Sequence, residues 1–331
     1  MKAAASILDL IGNTPIIKLP QSITDSAANL YCKLEFLNPS GSVKDRMAKH
    51  IILKEQERGT IKPGDTICDN TSGNAGISVA MVAAVAGYKS VFTTPQKTSQ
   101  EKVDLIKSFG AEVIITPTEV TADDPRHCYQ VAKKLAADRG YYWLNQYDNP
   151  LNPEAHYEVT GPEIWEQTEG KLTHFVMGIG TGGTISGVAK YLKEKNSAIE
   201  VIGVDPVGSL FEAIVAKRPL PEPQLYIVEG IGTDRLVNAF WPQYVDQVIQ
   251  VSDNDSFLAA RFLARTCGLS VGGSTGTLFH AVRQICRELD ESAYVLFLAC
   301  DTGIRYITKY FSNRWMEEHN FRLEETDLSG K

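Results

Sequence analysis

Cysteines are few and lie far apart. The six, Cys32, Cys68, Cys128, Cys267, Cys286 and Cys300, form no CxxC pair, which argues against a zinc knuckle or a redox dithiol. In a chain of 331 residues they read as reduced thiols rather than as a disulfide framework. Long apolar runs are missing as well. The longest weakly polar stretch, AGISVAMVAAVAGY from Ala75 to Tyr88, is too short to span a bilayer and reads as a buried helix, so no membrane partner is expected. The N-terminal MKAAASILDLIGNTP is soon broken by Gly12 and Pro15 and is not read as a signal peptide. Basic charge is also in deficit. There are 33 Lys and Arg against 40 Asp and Glu, a net charge of −7, so no surplus exists to neutralise nucleic-acid phosphates. A small anionic ligand held by a few local donors is still allowed.

What is present is a globular α/β pattern. A hydrophobic content of 43% with 22% charged residues provides for a real core, and the length suggests roughly two domains of about 150 residues each. Short apolar runs alternate with helical periods. NLYCKLEF, DTICDNTSG, SVFTTP, EVIITP, YYWLNQ, THFVMGIG, IEVIGVDP and YVLFLACDTG read as strands. Between them MAKHIILKEQERG, NAGISVAMVAAVAGY, SQEKVDLIKSFGA, RHCYQVAKKLAADRG and the stretch from Ser186 to Lys195 read as helices. Ser99 is the expected N-cap of the third, and Gly87 and Gly110 are expected stops. Such alternation implies parallel sheets covered on both faces. The polar NQYDNPLNPEAHYEV places a boundary near residue 150. This gives a domain over 1–149, a second over 150–320 and a polar tail over 321–331, where fraying is expected.

Three glycine loops follow strands or precede helices. FVMGIGTGGTISG contains Gly178-x-Gly180-x-x-Gly183, with Asp205 about 20 residues on. By spacing alone a nicotinamide or flavin enzyme fits. The physics is less selective, because glycines plus a helix N-terminus suit any phosphate, and Thr181 and Thr184 add hydroxyls. NTSGNAG, from Asn70 to Gly76, offers Thr71, Ser72 and Asn74 beside another helix start. That suits a carboxylate; helix capping by Ser72 or Asn74 is the plainer reading. VGGSTGT sets Ser274 among glycines, where a flat ligand could approach closely, or where it is a turn serine. Lys44, in NPSGSVKDR, changes the weighting. A lysine on a glycine-serine loop at a helix start is depressed in pKa by burial and by the helix dipole, and so suits Schiff-base chemistry. Together the lysine and the three loops describe a site for pyridoxal phosphate and an amino acid.

On these residues the chain resembles the fold-type II pyridoxal-phosphate enzymes of the cysteine synthase and cystathionine β-synthase family. SGSVKDR, TSGNAG, NQYDNPLNPEAHYEVTGPEIW, GTGGT and GGSTGT match in order and spacing, over nearly the whole chain. The resemblance implies a two-domain, tryptophan synthase β-like fold of helix-covered, parallel-rich sheets. In it the first strands cross to the second domain and the cofactor lies between two sheets. It implies that Lys44 bears pyridoxal 5′-phosphate and is the catalytic residue. Asn74 would meet the cofactor's 3′ oxygen, Gly180, Thr181, Gly182, Gly183 and Thr184 its phosphate, and Ser274 its ring nitrogen. Thr71, Ser72, Asn74 and Gln146 would hold the substrate carboxylate. No metal is implied. The implied reaction is β-replacement on O-acetylserine, O-phosphoserine or serine, through an aminoacrylate, with a sulfur nucleophile. Alternatives are an amine nucleophile such as glutamate, giving a diaminopropionate precursor, a serine or threonine dehydratase, and a non-catalytic homologue. A cytoplasmic homodimer is the family expectation.

Some positions depart from the pattern or stand outside it. After EGIG the cystathionine enzymes carry tyrosine, and here Thr233 stands, followed by Asp234 and Arg235. Arg235 would favour an anionic or carboxylate-bearing substrate; an exposed arginine paired with Asp234 or Glu229 is the other reading. Cys300 replaces the proline usual before the aspartate and reads as a buried strand-end residue. His156 reads as a structural hydrogen-bonder.

Overall fold

The computed structural model describes residues 3–324 apart from 72, 97 and 122. In chain order its strands are β1 (Ile16–Lys18), β2 (Asn29–Lys33), β3 (Thr66–Asn70), β4 (Lys89–Pro95), β5 (Glu112–Thr116), β6 (Tyr142–Trp143), β7 (His174–Gly178), β8 (Glu200–Pro206), β9 (Gln247–Val251) and β10 (Tyr294–Leu298). Its helices are α1 (Lys44–Glu57), α2 (Asn74–Ala86), α3 (Gln100–Ser108), α4 (Cys128–Arg139), α5 (Leu151–Ala155), α6 (Gly161–Gln167), α7 (Gly183–Lys195), α8 (Phe211–Val215), α9 (Asp253–Cys267), α10 (Gly273–Cys286) and α11 (Asn313–Glu318).

The strands form two sheets, a six-stranded one in the order β1-β2-β10-β7-β8-β9 and a four-stranded one in the order β5-β4-β3-β6. Every pairing is parallel except β1 with β2. Parallel strands covered on both faces are apolar throughout, and β7 and β10 are buried from their second residue onward. β2 pairs in register with β10, Leu30 opposite Val295. The N-terminal strands therefore belong to the sheet that the C-terminal half builds. The larger core gathers Phe175, Val176, Phe279 and Phe297, and a second gathers Met47, Ile51, Ile77 and Phe92.

The helices largely follow the pattern read from the chain, with instructive differences. α2 is buried on all sides over Ala75–Ala83 and stops at Gly87, whose φ of 81° suits glycine. Ser99 stands at the N-cap position of α3, but its hydroxyl makes no capping bond. In YYWLNQ only Tyr142 and Trp143 pair as a strand. α7 starts at Gly183, three residues before Ser186, because Gly182 takes a left-handed φ of 85° that lets the helix begin at the glycines. All six cysteines are free thiols. No helix among the described residues is long and apolar enough to cross a membrane.

One buried ionic network locks α1 onto the larger sheet. Arg46 Nε donates to Glu35 Oε2 at 2.7 Å, and its Nη1 donates to Glu163 Oε2 at 2.8 Å. Lys33 Nζ donates to Glu163 Oε1 at 2.5 Å, and Thr14 Oγ1 donates to Glu35 at 2.7 Å. Burial pushes the Glu35 carboxyl up, but Arg46, Lys33 and Thr14 more than reverse this and hold it below the usual range. Glu163 is lowered in the same way: burial opposes, and Arg46 and Lys33 prevail.

Removing the shared cation leaves buried Glu35 with no cation in contact and Glu163 with Lys33 alone. Arg46→Met should lose about 3–5 kcal/mol of stability at neutral pH, measured by denaturant unfolding. Carboxylates with depressed native pKa stabilise fully above their unfolded pKa, and that contribution disappears as pH falls through the native value. The gap between wild type and variant should therefore narrow on acidification below the ordinary glutamate range.

Candidate active site

The loop before α1 is fixed so that Lys44 is the first residue of the helix. Gly41 turns the chain with a φ of 84°. Asp45 then ties the loop down: Ser40 N donates to its Oδ2 at 2.7 Å, the Ser40 hydroxyl to its Oδ1, and Ser78 of α2 to the same Oδ1 at 2.6 Å. Val43 N donates to the Cys300 carbonyl at 2.9 Å, so the loop lies along the chain just after β10. Burial lowers the Lys44 pKa, opposed in part by the Cys300 thiol. An amine that gives up its proton readily is what carbonyl condensation and proton transfer at carbon require.

The loop between β7 and α7 is packed to the limit. A Cβ on Gly180 would stand 2.4 Å from the Gly230 carbonyl, one on Gly182 2.4 Å from Phe240 Cβ, and one on Gly183 2.0 Å from Asn152 Oδ1. Asn152 Nδ2 donates to Thr181 Oγ1 at 2.9 Å and to the Gln146 carbonyl at 2.7 Å. Thr184 Oγ1 lies 3.2 Å from His156 Nε2, whose other ring nitrogen is 2.9 Å from Thr160 Oγ1. His156 sits in a π-helical turn over His156–Thr160 and is kept neutral, chiefly by burial and then by Arg46 and Lys44. Asp205, the acid of the dinucleotide spacing, is buried and accepts from Phe211 N at 3.1 Å, so it serves the start of α8.

The remaining predicted residues gather around these two loops. Ser274 is buried at the start of α10. Gly272, just before it, donates its N–H to the Asp301 carbonyl at 3.1 Å, and Thr275 Oγ1 accepts from Cys300 N at 3.0 Å. That places α10's N-terminus beside the same segment that carries the Lys44 loop. Thr71 Oγ1 accepts from Gly73 N and Gly76 N, each at 3.0 Å, so Thr71 organises the turn into α2. Ser72 lies outside the described residues. Gln146 Nε2 donates to Asp69 Oδ2 at 3.2 Å and to the Asn70 carbonyl at 2.9 Å. Burial pushes the Asp69 carboxyl up to about 7. Asn74 is held on both sides of its amide, by Asp301 and by Arg305. Cys300 is buried, and burial followed by Asp301 pushes its thiol far up, which makes it a poor nucleophile.

Arg235 has neither of the partners expected for it. Glu229 pairs instead with Lys102 and Lys309, and the Arg235 guanidinium stands 3.6 Å from Asp148. It lies over the Tyr129 ring at 4.3 Å and the Tyr147 ring at 5.0 Å from their centroids. Its Nη2 is buried with no hydrogen-bond partner among the described residues. Asp301 and Asn152 lie within stretches that the resemblance covers, but nothing in the sequence marks them, Arg305 or Lys102 as partners of the site loops. Asp301 and Arg305 lie more than 220 residues from Asn74.

The chain thus brings flush glycines to one helix start, a dry lysine to a second and a buried serine to a third. The family model described as pyridoxal-phosphate dependent enzyme matches residues 7–301, and the chain belongs to that family, whose cofactor is pyridoxal 5′-phosphate. It is 43% identical over 325 residues to a cystathionine beta-synthase of Apis mellifera, covering 97% of this chain and 64% of the relative. The same enzyme of Saccharomyces cerevisiae is 40% identical over 330 residues, with 95% and 64% covered. This chain thus spans less than two thirds of the length of those relatives. Two solved structures superpose along nearly their whole length. An O-ureido-L-serine synthase gives a TM-score of 0.87 at 32% identity, with 94% of this chain and 96% of the other covered. An O-acetylserine dependent cystathionine beta-synthase from Helicobacter pylori gives 0.85 at 37%, with 93% and 99% covered.

The cradle is testable without turnover. Gly183→Ala forces a methyl group against the Asn152 amide, so the loop must open. The affinity of the apoprotein for pyridoxal phosphate should fall tenfold or more, a loss of about 1.4 kcal/mol or greater, measured by fluorescence titration.

Proposed function

We propose that this chain catalyses β-replacement on an activated L-serine with a sulfur nucleophile. The observation that carries the reading is Lys44, a dry primary amine of lowered pKa at the first position of α1. Bound pyridoxal phosphate supplies an electron sink for the bond broken at Cα. Gly180, Thr181, Gly182, Gly183 and Thr184 would hold its phosphate, Ser274 would meet its ring nitrogen and Asn74 its 3′ oxygen. Thr71, Ser72, Asn74 and Gln146 receive the substrate carboxylate. Lys44 Nζ takes the Cα proton, the β-substituent departs with its electron pair, the nucleophile's thiol gives its proton to the departed group as its sulfur bonds to Cβ, and Lys44 returns a proton to Cα. Ser274, a neutral hydroxyl, would not hold a proton on the ring nitrogen as a carboxylate would.

The names of the relatives support a sulfur-bearing amino acid as nucleophile. An amine nucleophile such as glutamate is the second reading, favoured by the unpartnered Nη2 of Arg235, which suits a distal carboxylate. The family also supports a homodimer working in the cytoplasm on small amino-acid substrates. A matrix of O-acetylserine, O-phosphoserine and serine against sulfide, homocysteine, cysteine and glutamate, followed by mass spectrometry, tests the reading. A thioether or thiol product that Lys44→Ala cannot form is expected. Release of a keto acid alone, with no adduct in any cell of the matrix, overturns it.

Arg235 gives a second measurement. If it receives the carboxylate of one substrate, Arg235→Ala should raise the KM of that substrate alone by about tenfold to a hundredfold, for loss of a charge-assisted pair worth ~1.5–3 kcal/mol. Equal and small changes for both substrates would leave Arg235 as part of the aromatic packing.

A further inference from the structure

Asn74 Oδ1 accepts from Arg305 Nη1, and Asn74 Nδ2 donates to Asp301 Oδ2 at 2.6 Å. These two partners are chemically one-sided. A guanidinium has only donors, and an ionised carboxylate has only acceptors. Flipping the amide would set its NH2 against a cation and its oxygen against an anion, so a single orientation is allowed. Both partners are themselves fixed. Asp301 is buried, and its Oδ2 also accepts from Tyr306 Oη at 2.7 Å. Arg305 is buried and its Nη2 donates to the Ser40 carbonyl, in the loop that carries Lys44. Lys102 Nζ in turn donates to Tyr306 Oη at 3.2 Å. Asn74 remains partly exposed at the start of α2.

One Nδ2 hydrogen is left over after these bonds, and it must be a donor. We propose that Asp301 and Arg305 are positioning residues that lock the Asn74 amide so that this N–H, and never the carbonyl oxygen, faces the cofactor's 3′ oxygen. The inference rests on the role given to Asn74 above. It adds that the polarity of that contact is set by two residues that reach the cofactor only through Asn74. A donor held there stabilises the anionic form of the oxygen. Without the lock the amide rotates, the anion loses its donor and becomes more basic.

The test is the visible absorption of the cofactor-loaded protein titrated with pH in the absence of substrate. Asn74→Ala should raise the midpoint of the titration by about half a pH unit or more. Arg305→Gln and Asp301→Asn should raise it in the same direction, and Tyr306→Phe by less. Combined with Asn74→Ala, each should add nothing, because positioning residues act only through their target. Arg305→Lys, which keeps a donor-only cation, is the folding-tolerant control and should restore most of the wild-type midpoint. If Asn74→Ala itself leaves the midpoint unmoved, the role of Asn74 fails. If it moves the midpoint while the Arg305 and Asp301 variants do not, or if their shifts add to it, the lock is wrong and the role of Asn74 stands.

Discussion

The guanidinium of Arg46 lies out of water between Glu35, just after β2, and Glu163 of α6. A buried charge of this kind is expensive unless its donors are met, and here Glu35, Glu163 and Thr14 accept from all three of its nitrogens. The consequence reaches the site because Arg46 stands two residues after Lys44. Fixing the first turn of α1 against strands of the larger sheet fixes the azimuth of the lysine. Glu163 also accepts from Asn13 N and Thr14 N at 3.0 and 3.1 Å, so the chain leading into β1 is bound to the same point.

From that anchor the site is assembled by segments distant in sequence. Asp45 holds the loop before Lys44 and joins it to α2 through Ser78. The stretch after β10 supports the Lys44 loop, the start of α10 and Asn74 together. On the far side Asn152 and His156 brace the glycine loop. Each helix start presents the positive end of its dipole, so an anionic ligand there would meet a favourable field with little reorganisation. The same packing dries Lys44, which lowers its pKa.

The loops of the site are legible in the sequence, and their supports are not. Glycine runs at strand-to-helix junctions mark close approach wherever they occur, and Gly180, Gly182 and Gly183 do lie flush against Gly230, Phe240 and Asn152. Lys44 is readable because a lysine on such a loop has no simple surface purpose. Asp205 misleads by spacing alone: its carboxylate caps a helix, and the fingerprint does not distinguish that from ribose binding. Arg235 is readable as a cation near the loop, but its stacking on Tyr129 and Tyr147 depends on long-range folding. Asp301 and Arg305 are hidden for the same reason, since hydrogen bonds across more than 220 residues leave no periodic trace. Short edge pairing explains the truncated β6, where propensity suggests a longer strand than the sheet accepts.

The central assertion is that Lys44, among the lysines of the chain, is the residue to which pyridoxal phosphate is joined. Borohydride reduction of the cofactor-loaded protein, followed by proteolysis and peptide mass spectrometry, reads the attachment point directly. The expected result is one reduced phosphopyridoxyl adduct on the peptide carrying Lys44. An adduct on another lysine, such as the buried Lys102, or no adduct on a protein that has taken up the cofactor, would contradict it.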